Sequence, residues 1–202
     1  MDVLYEDQGD MLRLEAGDCV TQPPEIRHRV CHASADIEVI EIGVPAEHVT
    51  TIDHEFELPN GIGDPAREWQ GQKFVHHQLQ QAQWQPFRLP GFECRDTGVN
   101  AGTKGIAGIQ VYRPASLAAA SAATSAATSA STARYRHSGD IHFSFVLEGE
   151  MTLLADAQPA RQLQAGDAFV LPPQLQVGIE ACSSDLEVLE VALPGVFETE
   201  ML

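Results

Sequence analysis

The stretch LQAGDAFVLPPQLQV at residues 163–177 decides the fold, because residues 14–28 read LEAGDCVTQPPEIRH, the same pattern 149 positions earlier. The offset also carries DIEVIEI (36–42) onto DLEVLEV (185–191) without a gap. Two separate segments in one register define an internal repeat, and a period this long, present twice, implies two related domains or half-barrels rather than a solenoid. Each Gly-Asp pair opens a short apolar run that stops at Pro-Pro, where two backbone donors are lost and strand pairing ends. Residues 36–44 and 185–192 alternate apolar and acidic residues, the period-two pattern of a half-buried strand. FSFVL (143–147), followed by Glu148, Gly149 and Glu150, reads as strand, turn, strand. Short strands at frequent turns predict an all-β sandwich or barrel.

The chain has 202 residues, 29 acidic against 12 basic, and a formal charge of −17. Such a surface repels phosphate backbones and anionic lipid, so neither a nucleic acid nor a membrane is expected as a partner. No run of about 18 apolar residues can span a bilayer, and Met1 is followed by Asp2 rather than a basic segment, which predicts a cytoplasmic location. Cys19, Cys31, Cys94 and Cys182 form no Cys-x-x-Cys pair and read as buried thiols. No phosphate-binding glycine loop, dinucleotide fingerprint or Gly-x-Ser-x-Gly elbow occurs. Residues 115–133 are almost entirely Ala, Ser and Thr, too poor in apolar bulk to build a core, and are expected to form a loop.

These residues resemble the cupin superfamily, and specifically a bicupin, in which two small antiparallel β-barrels share one chain. The family's second motif, Gly, five residues, Pro, x, Gly, two residues, His, falls on Gly17, Pro23 and His28, with Glu25 at the inner glycine. In the second copy it falls on Gly166 and Pro172, with Gln174 at the inner glycine and Val177 at the histidine. The first motif, counted back from Gly149, puts His142 at the family's glutamate, His137 at its second histidine and Tyr135 at its first. The resemblance implies two cupin-type antiparallel β-barrel (jelly-roll) half-domains, the first incomplete. Residues 1–48 would form the end of the first barrel, 49–70 a crossover linker and 71–202 the second barrel.

In metal-bearing cupins the motif side chains hold one divalent metal inside the barrel. The resemblance therefore implies a metal, iron, manganese, nickel or zinc, on His137, His142 and Tyr135, with Tyr135 also a catalytic proton donor. His28 is a weaker ligand candidate in the first barrel, since no His-x-His precedes it. Arg134 and Arg136 are candidate anchors for a substrate carboxylate, although neighbours of an inward Tyr135 on a strand point outward. The bland alternative is that the two histidines line a polar pocket or bond each other.

The expected function is a metal-dependent, dioxygenase-like enzyme acting on a small organic molecule. The alternative is a metal-free ligand-binding or vestigial cupin. The first copy has no counterpart of residues 135–149, which leaves a sheet edge to cover. Three ways to cover it are open: a start further upstream, a second copy in a homodimer, or residues 71–92 folding back. The homodimer is the preferred expectation.

Overall fold

A computed structural model describes residues 1–115 and 133–202; the Ala/Ser/Thr stretch lies, but for its end residues, outside them. The chain divides into two compact units, Met1–Gln80 and Gln81–Leu202. Every strand pairing among the described residues is antiparallel.

The first unit contains β1 (Asp2–Tyr5), β2 (Leu12–Arg13), β3 (Cys19–Val20), β4 (His28–His32), β5 (Glu68–Trp69), β6 (Gln72–Lys73) and β7 (His76–His77). β1 lies between β2 and β4, while β3 pairs with β7 and β5 with β6. Val3, Tyr5, Ile26 and Trp69 form a small core, joined by Leu12, Leu14, Val20 and Phe74. Buried Glu6 and Asp7, directly after β1, bind Arg27 and Arg67, so apolar packing and ion pairs together tie residues 60–67 to this sheet.

The second unit contains β8 (Gln85–Pro86), β9 (Phe92–Asp96), a single helical turn α1 (Val99–Gly102), β10 (Gly108–Pro114), β11 (Arg134–His137), β12 (Ile141–Glu148) and β13 (Glu150–Ala155). It continues with β14 (Arg161–Gln164), β15 (Ala168–Val170), β16 (Val177–Cys182), β17 (Glu187–Leu193) and β18 (Thr199–Met201). These build a six-stranded sheet in the order β15-β12-β17-β10-β9-β8 and a five-stranded sheet in the order β14-β13-β16-β11-β18. Both feed one core: Phe92, Tyr112, Val146 and Val188 from the first, and Tyr135, Met151, Leu153, Val177 and Ile179 from the second. This is an all-β jelly roll. The β12–β13 turn needs Gly149, which has φ +73° and whose added Cβ would come within 2.8 Å of the Leu186 backbone.

The sequence repeat is also a structural one. β1, β2, β3 and β4 match β13, β14, β15 and β16 in order, and the sheet order β2-β1-β4 repeats as β14-β13-β16. Even the bulge recurs: register slips between Asp2 and Val3 against β4, and between Thr152 and Leu153 against β16. The partner residues, His32 and Val30 against Ala181 and Ile179, keep the 149-residue offset. The bulged strands are offset by 150, so one extra residue sits in the β1–β2 connection.

Two sequence readings are corrected. Residues 36–44, expected as a strand from their alternation, form none, and Ile37, Val39, Ile40, Ile42 and Val44 are exposed. A period-two pattern permits a strand but does not supply the neighbours that hold it in a sheet. Residues 71–80, read as opening the second barrel, belong to the first unit: Cys19 and Val20 pair with His77 and His76. This places β7 on β3 as β12 sits on β15, where Ala168 and Phe169 face Phe145 and Ser144. Part of the open edge is thus covered by fold-back, the third of the three ways.

Candidate functional site

β11 and β12 bring the two motif histidines into the second unit's interior. Period-two alternation turns Tyr135 and His137 inward from β11, and His142, Ser144 and Val146 inward from β12. His137 and His142 are each 1% exposed, with ring centroids 4.6 Å apart at an interplanar angle of 76°. The repeated Pro-Pro turn fixes both. Leu171 N–H donates to the His142 carbonyl (2.9 Å), and the Leu171 carbonyl accepts from His137 Nε2 (3.1 Å). Gln174 donates to the His137 carbonyl from its backbone N–H (2.9 Å) and from Nε2 (3.2 Å).

The third buried member is Glu190 of β17. Its Oε2 accepts from His142 Nε2 at 2.7 Å, while Oε1 accepts from Gln110 Nε2 at 2.7 Å and from Arg88 at 2.8 Å. A second Arg88 nitrogen binds Oε2, which makes the pair bidentate. Burial opposes ionisation of Glu190, but the Arg88 charge and the bonds from His142 and Arg88 outweigh it and hold the carboxyl well below the usual range. A carboxylate accepts only, so His142 holds a proton on Nε2, and in the neutral imidazole Nδ1 is then the lone pair. His137 is pushed down by burial first and then by His142, which keeps it neutral; its Nε2–H is spent on Leu171, and its Nδ1 is also a lone pair. Both Nδ1 atoms are buried without a partner among the described residues, as is the Arg88 Nε–H. Phe197, in the loop between β17 and β18, lies over these groups at 5.9 Å from His137, 5.5 Å from His142 and 5.0 Å from the Arg88 guanidinium carbon.

The remaining sequence candidates sit elsewhere. Tyr135 packs in the apolar core beside a water-sized cavity of about 10 Å³ lined by Leu89, Phe92 and Ile179. Burial pushes its phenol far above the ordinary tyrosine range, which disfavours both a tyrosinate ligand and proton donation at neutral pH. Arg136 points outward to Glu200, with Nε 2.8 Å from its Oε2. Arg134 is half-buried on the same outward face of β11. His28 is exposed on β4, its ring stacked on Tyr5 at 5.6 Å. Glu190, Arg88 and Phe197 were not singled out from sequence. One signal for Glu190 existed: it shares a face of β17 with Val188 and Ala192, so an acid stands on an apolar face.

The donor set does not fit a divalent metal. Two imidazole lone pairs remain, while Glu190 is saturated by Arg88, Gln110 and His142, and the family's fourth ligand position is buried Val177. No group of three or more His, Cys, Asp or Glu among the described residues is placed to hold an ion. At least three protein ligands are the rule for such sites.

An antiparallel jelly roll with histidines from adjoining strands inside it defines a class of small β-barrel domains. Residues 121–191 match the family model for EutQ-like cupin domains, so this part of the chain is similar to that family. Among solved structures it is similar to the polyketide cyclase RemF from Streptomyces resistomycificus, at 17% identity and TM-score 0.47, covering 61% of this chain and 80% of that one. It is also similar to a Streptomyces nucleoside dehydratase, at 10% identity and TM-score 0.45, covering 62% and 88%. A third is salicylate 1,2-dioxygenase from Pseudoaminobacter salicylatoxidans, at 16% identity and TM-score 0.42, covering 58% and 31%. No curated protein matches the sequence. No helix among the described residues is long and apolar enough to cross a membrane.

Proposed function

We propose that the second unit binds a small organic molecule inside its barrel without a metal, and that His142, oriented by Glu190, takes a proton from it. The observation that carries this reading is the 2.7 Å bond from His142 Nε2 to Glu190, with the opposite ring nitrogen buried and unpartnered among the described residues. A carboxylate on one imidazole nitrogen fixes the tautomer and stabilises the imidazolium formed when the other nitrogen accepts a proton. Arg88 holds Glu190 ionised throughout, so the negative charge needed to stabilise that cation stays in place. His137 presents a second acceptor beside it.

The competing reading, a metal-dependent dioxygenase, is favoured by one feature: the two Nδ1 lone pairs are of the type a metal takes. Elemental analysis of the full chain after reconstitution with iron, manganese, nickel or zinc, with the His137→Ala/His142→Ala double variant alongside, separates the two. The expected result is no stoichiometric metal in either protein, with nitrogen NMR placing the His142 proton on Nε2. One metal per chain, lost in the double variant, would overturn the metal-free reading and restore the dioxygenase one.

A further inference from the structure

We infer that the Phe197 ring holds the place of the ligand, and that the ligand is a planar, uncharged molecule carrying both a hydrogen-bond acceptor and an O–H or N–H donor. The inference rests on the proposed metal-free site and names what that site takes. Three of the side chains with unpartnered buried polar atoms among the described residues, Arg88, His137 and His142, gather around one object, the Phe197 ring. A benzene ring meets their faces but none of their hydrogen-bonding needs. Its neighbours demand one acceptor, for Arg88 Nε–H, and one or two donors, for the Nδ1 lone pairs. Buried polar groups left without partners are rare because each forfeits its hydration, so such a cluster marks a place built for another occupant.

The chemistry follows from charge. Arg88 and Glu190 already neutralise each other as a bidentate pair, so neither charge is free to balance an incoming carboxylate or ammonium. An uncharged carbonyl or amide oxygen suits Arg88 Nε–H, and a hydroxyl or N–H suits an imidazole lone pair. Planarity follows from what stands there now: an aromatic ring with a guanidinium 5.0 Å from its centre and two imidazoles around it.

Phe197 is also placed to leave. It belongs to neither β17 nor β18, and it is flanked by exposed Val196 and Glu198. Near it, the loop is tied to the strand side at Ser138, whose N–H donates to the Glu198 carbonyl (3.0 Å) and whose Oγ accepts from Glu198 N–H (2.9 Å). Gly139 backs onto the ring, where an added Cβ would stand 3.4 Å from Phe197 Cβ and Cγ.

Binding of 4-hydroxybenzamide, benzene and 4-hydroxybenzoate to the full-length wild type, Phe197→Ala and Phe197→Leu, followed by NMR titration, tests the inference. Phe197→Ala should bind 4-hydroxybenzamide about tenfold more tightly than wild type does, and about tenfold more tightly than it binds benzene or 4-hydroxybenzoate, the scale of one buried hydrogen bond. Phe197→Leu should fall between, and it stands in if the alanine variant does not fold. Equal binding of benzene and 4-hydroxybenzamide would overturn the ligand class, and failure of every probe to bind either variant would overturn the place-holder role. In Phe197→Ala/His142→Ala the gain for 4-hydroxybenzamide over benzene should vanish. If it persists undiminished, the His142 acceptor of the proposed function fails while the place-holder stands.

Discussion

Strands β4 and β16 occupy the same place in the repeat, 149 residues apart, yet all five residues of β4 are exposed while Val177, Gly178 and Ile179 of β16 are buried. The difference lies in the neighbours. β16 has β13 on one side and β11 on the other, whereas β4, among the described residues, pairs with β1 alone. The segments that follow diverge further. DLEVLEV becomes β17, held between β12 and β10, with Leu186 and Val188 fully buried; DIEVIEI joins no sheet, and Val39, the counterpart of Val188, is 64% exposed. Strand formation is thus a property of the company a segment keeps as much as of its own pattern. Glu41 and Glu190 carry the lesson into function: the same residue at the same repeat position is a solvated carboxylate in one copy and the anchor of a buried network in the other.

The largest test of this comparison is therefore Glu190→Gln against Glu41→Gln. Removing the Glu190 charge leaves Arg88 unpaired, a loss of about 3 kcal/mol in the second unit's unfolding free energy, toward the low end of the range because the Arg88 side chain is 21% exposed. Glu41→Gln should change stability by less than about 0.5 kcal/mol. Urea denaturation reads both, and equal effects would break the comparison. The next test is Val188→Ala, which should cost about 2 kcal/mol by loss of buried apolar surface and the cavity left behind, against close to nothing for Val39→Ala.

How much was legible in advance follows the same line. The all-β class and the repeat were readable because period-two alternation and turn residues are local, and the Pro-Pro turns mark strand ends wherever they fall; His137 and His142 were singled out through the resemblance to the cupin motif. The alternation of residues 36–44 misled because it states which face is apolar, not whether a sheet exists to receive it. Tyr135 was placed on the correct face beside His137, but its fate was decided by burial among Leu89, Phe92 and Ile179, contacts from distant strands. Arg88 and Phe197 reach the site from a segment before β9 and a loop after β17, and no spacing rule links them to the histidines. The Pro-Pro turn of the repeat was read as a strand terminator, and in the second copy it also clamps both histidines through Leu171 and Gln174.

Protonation sharpens the contrast from the second unit's side. Because burial lowers the His137 pKa, the unfolded chain binds more protons than the folded one below the ordinary histidine value. Its contribution is complete above about pH 6.5 and is lost as pH falls from there toward the lowered folded value. Thermal unfolding of the wild type should show this decline, and His137→Gln should flatten it. An unchanged slope in the variant would mean that another group carries the effect. Glu190 contributes a separate loss at lower pH, since its depressed pKa makes the pair's stabilisation complete above about pH 4.3 and lost as pH falls below it.

The smallest effect concerns a place where the copies agree. Glu25 and Gln174 both stand where the cupin motif has its inner glycine, and both keep the left-handed backbone that glycine would favour, with φ of +68° and +66°. A side chain there costs about 1 kcal/mol relative to glycine. Glu25→Gly should therefore stabilise the first unit by up to about that amount, because the only side-chain bond it sacrifices among the described residues is an exposed one from Gln70 at 3.1 Å. Gln174→Gly relieves the same strain but removes the Nε2 donor to the His137 carbonyl, so its net gain should be smaller by the worth of one partly buried hydrogen bond, about 1 kcal/mol. Denaturation midpoints for the two variants read the difference. If Gln174→Gly stabilised as much as Glu25→Gly, the side chain at 174 would be idle, and the backbone N–H of that residue would suffice to hold the end of β11 over the site.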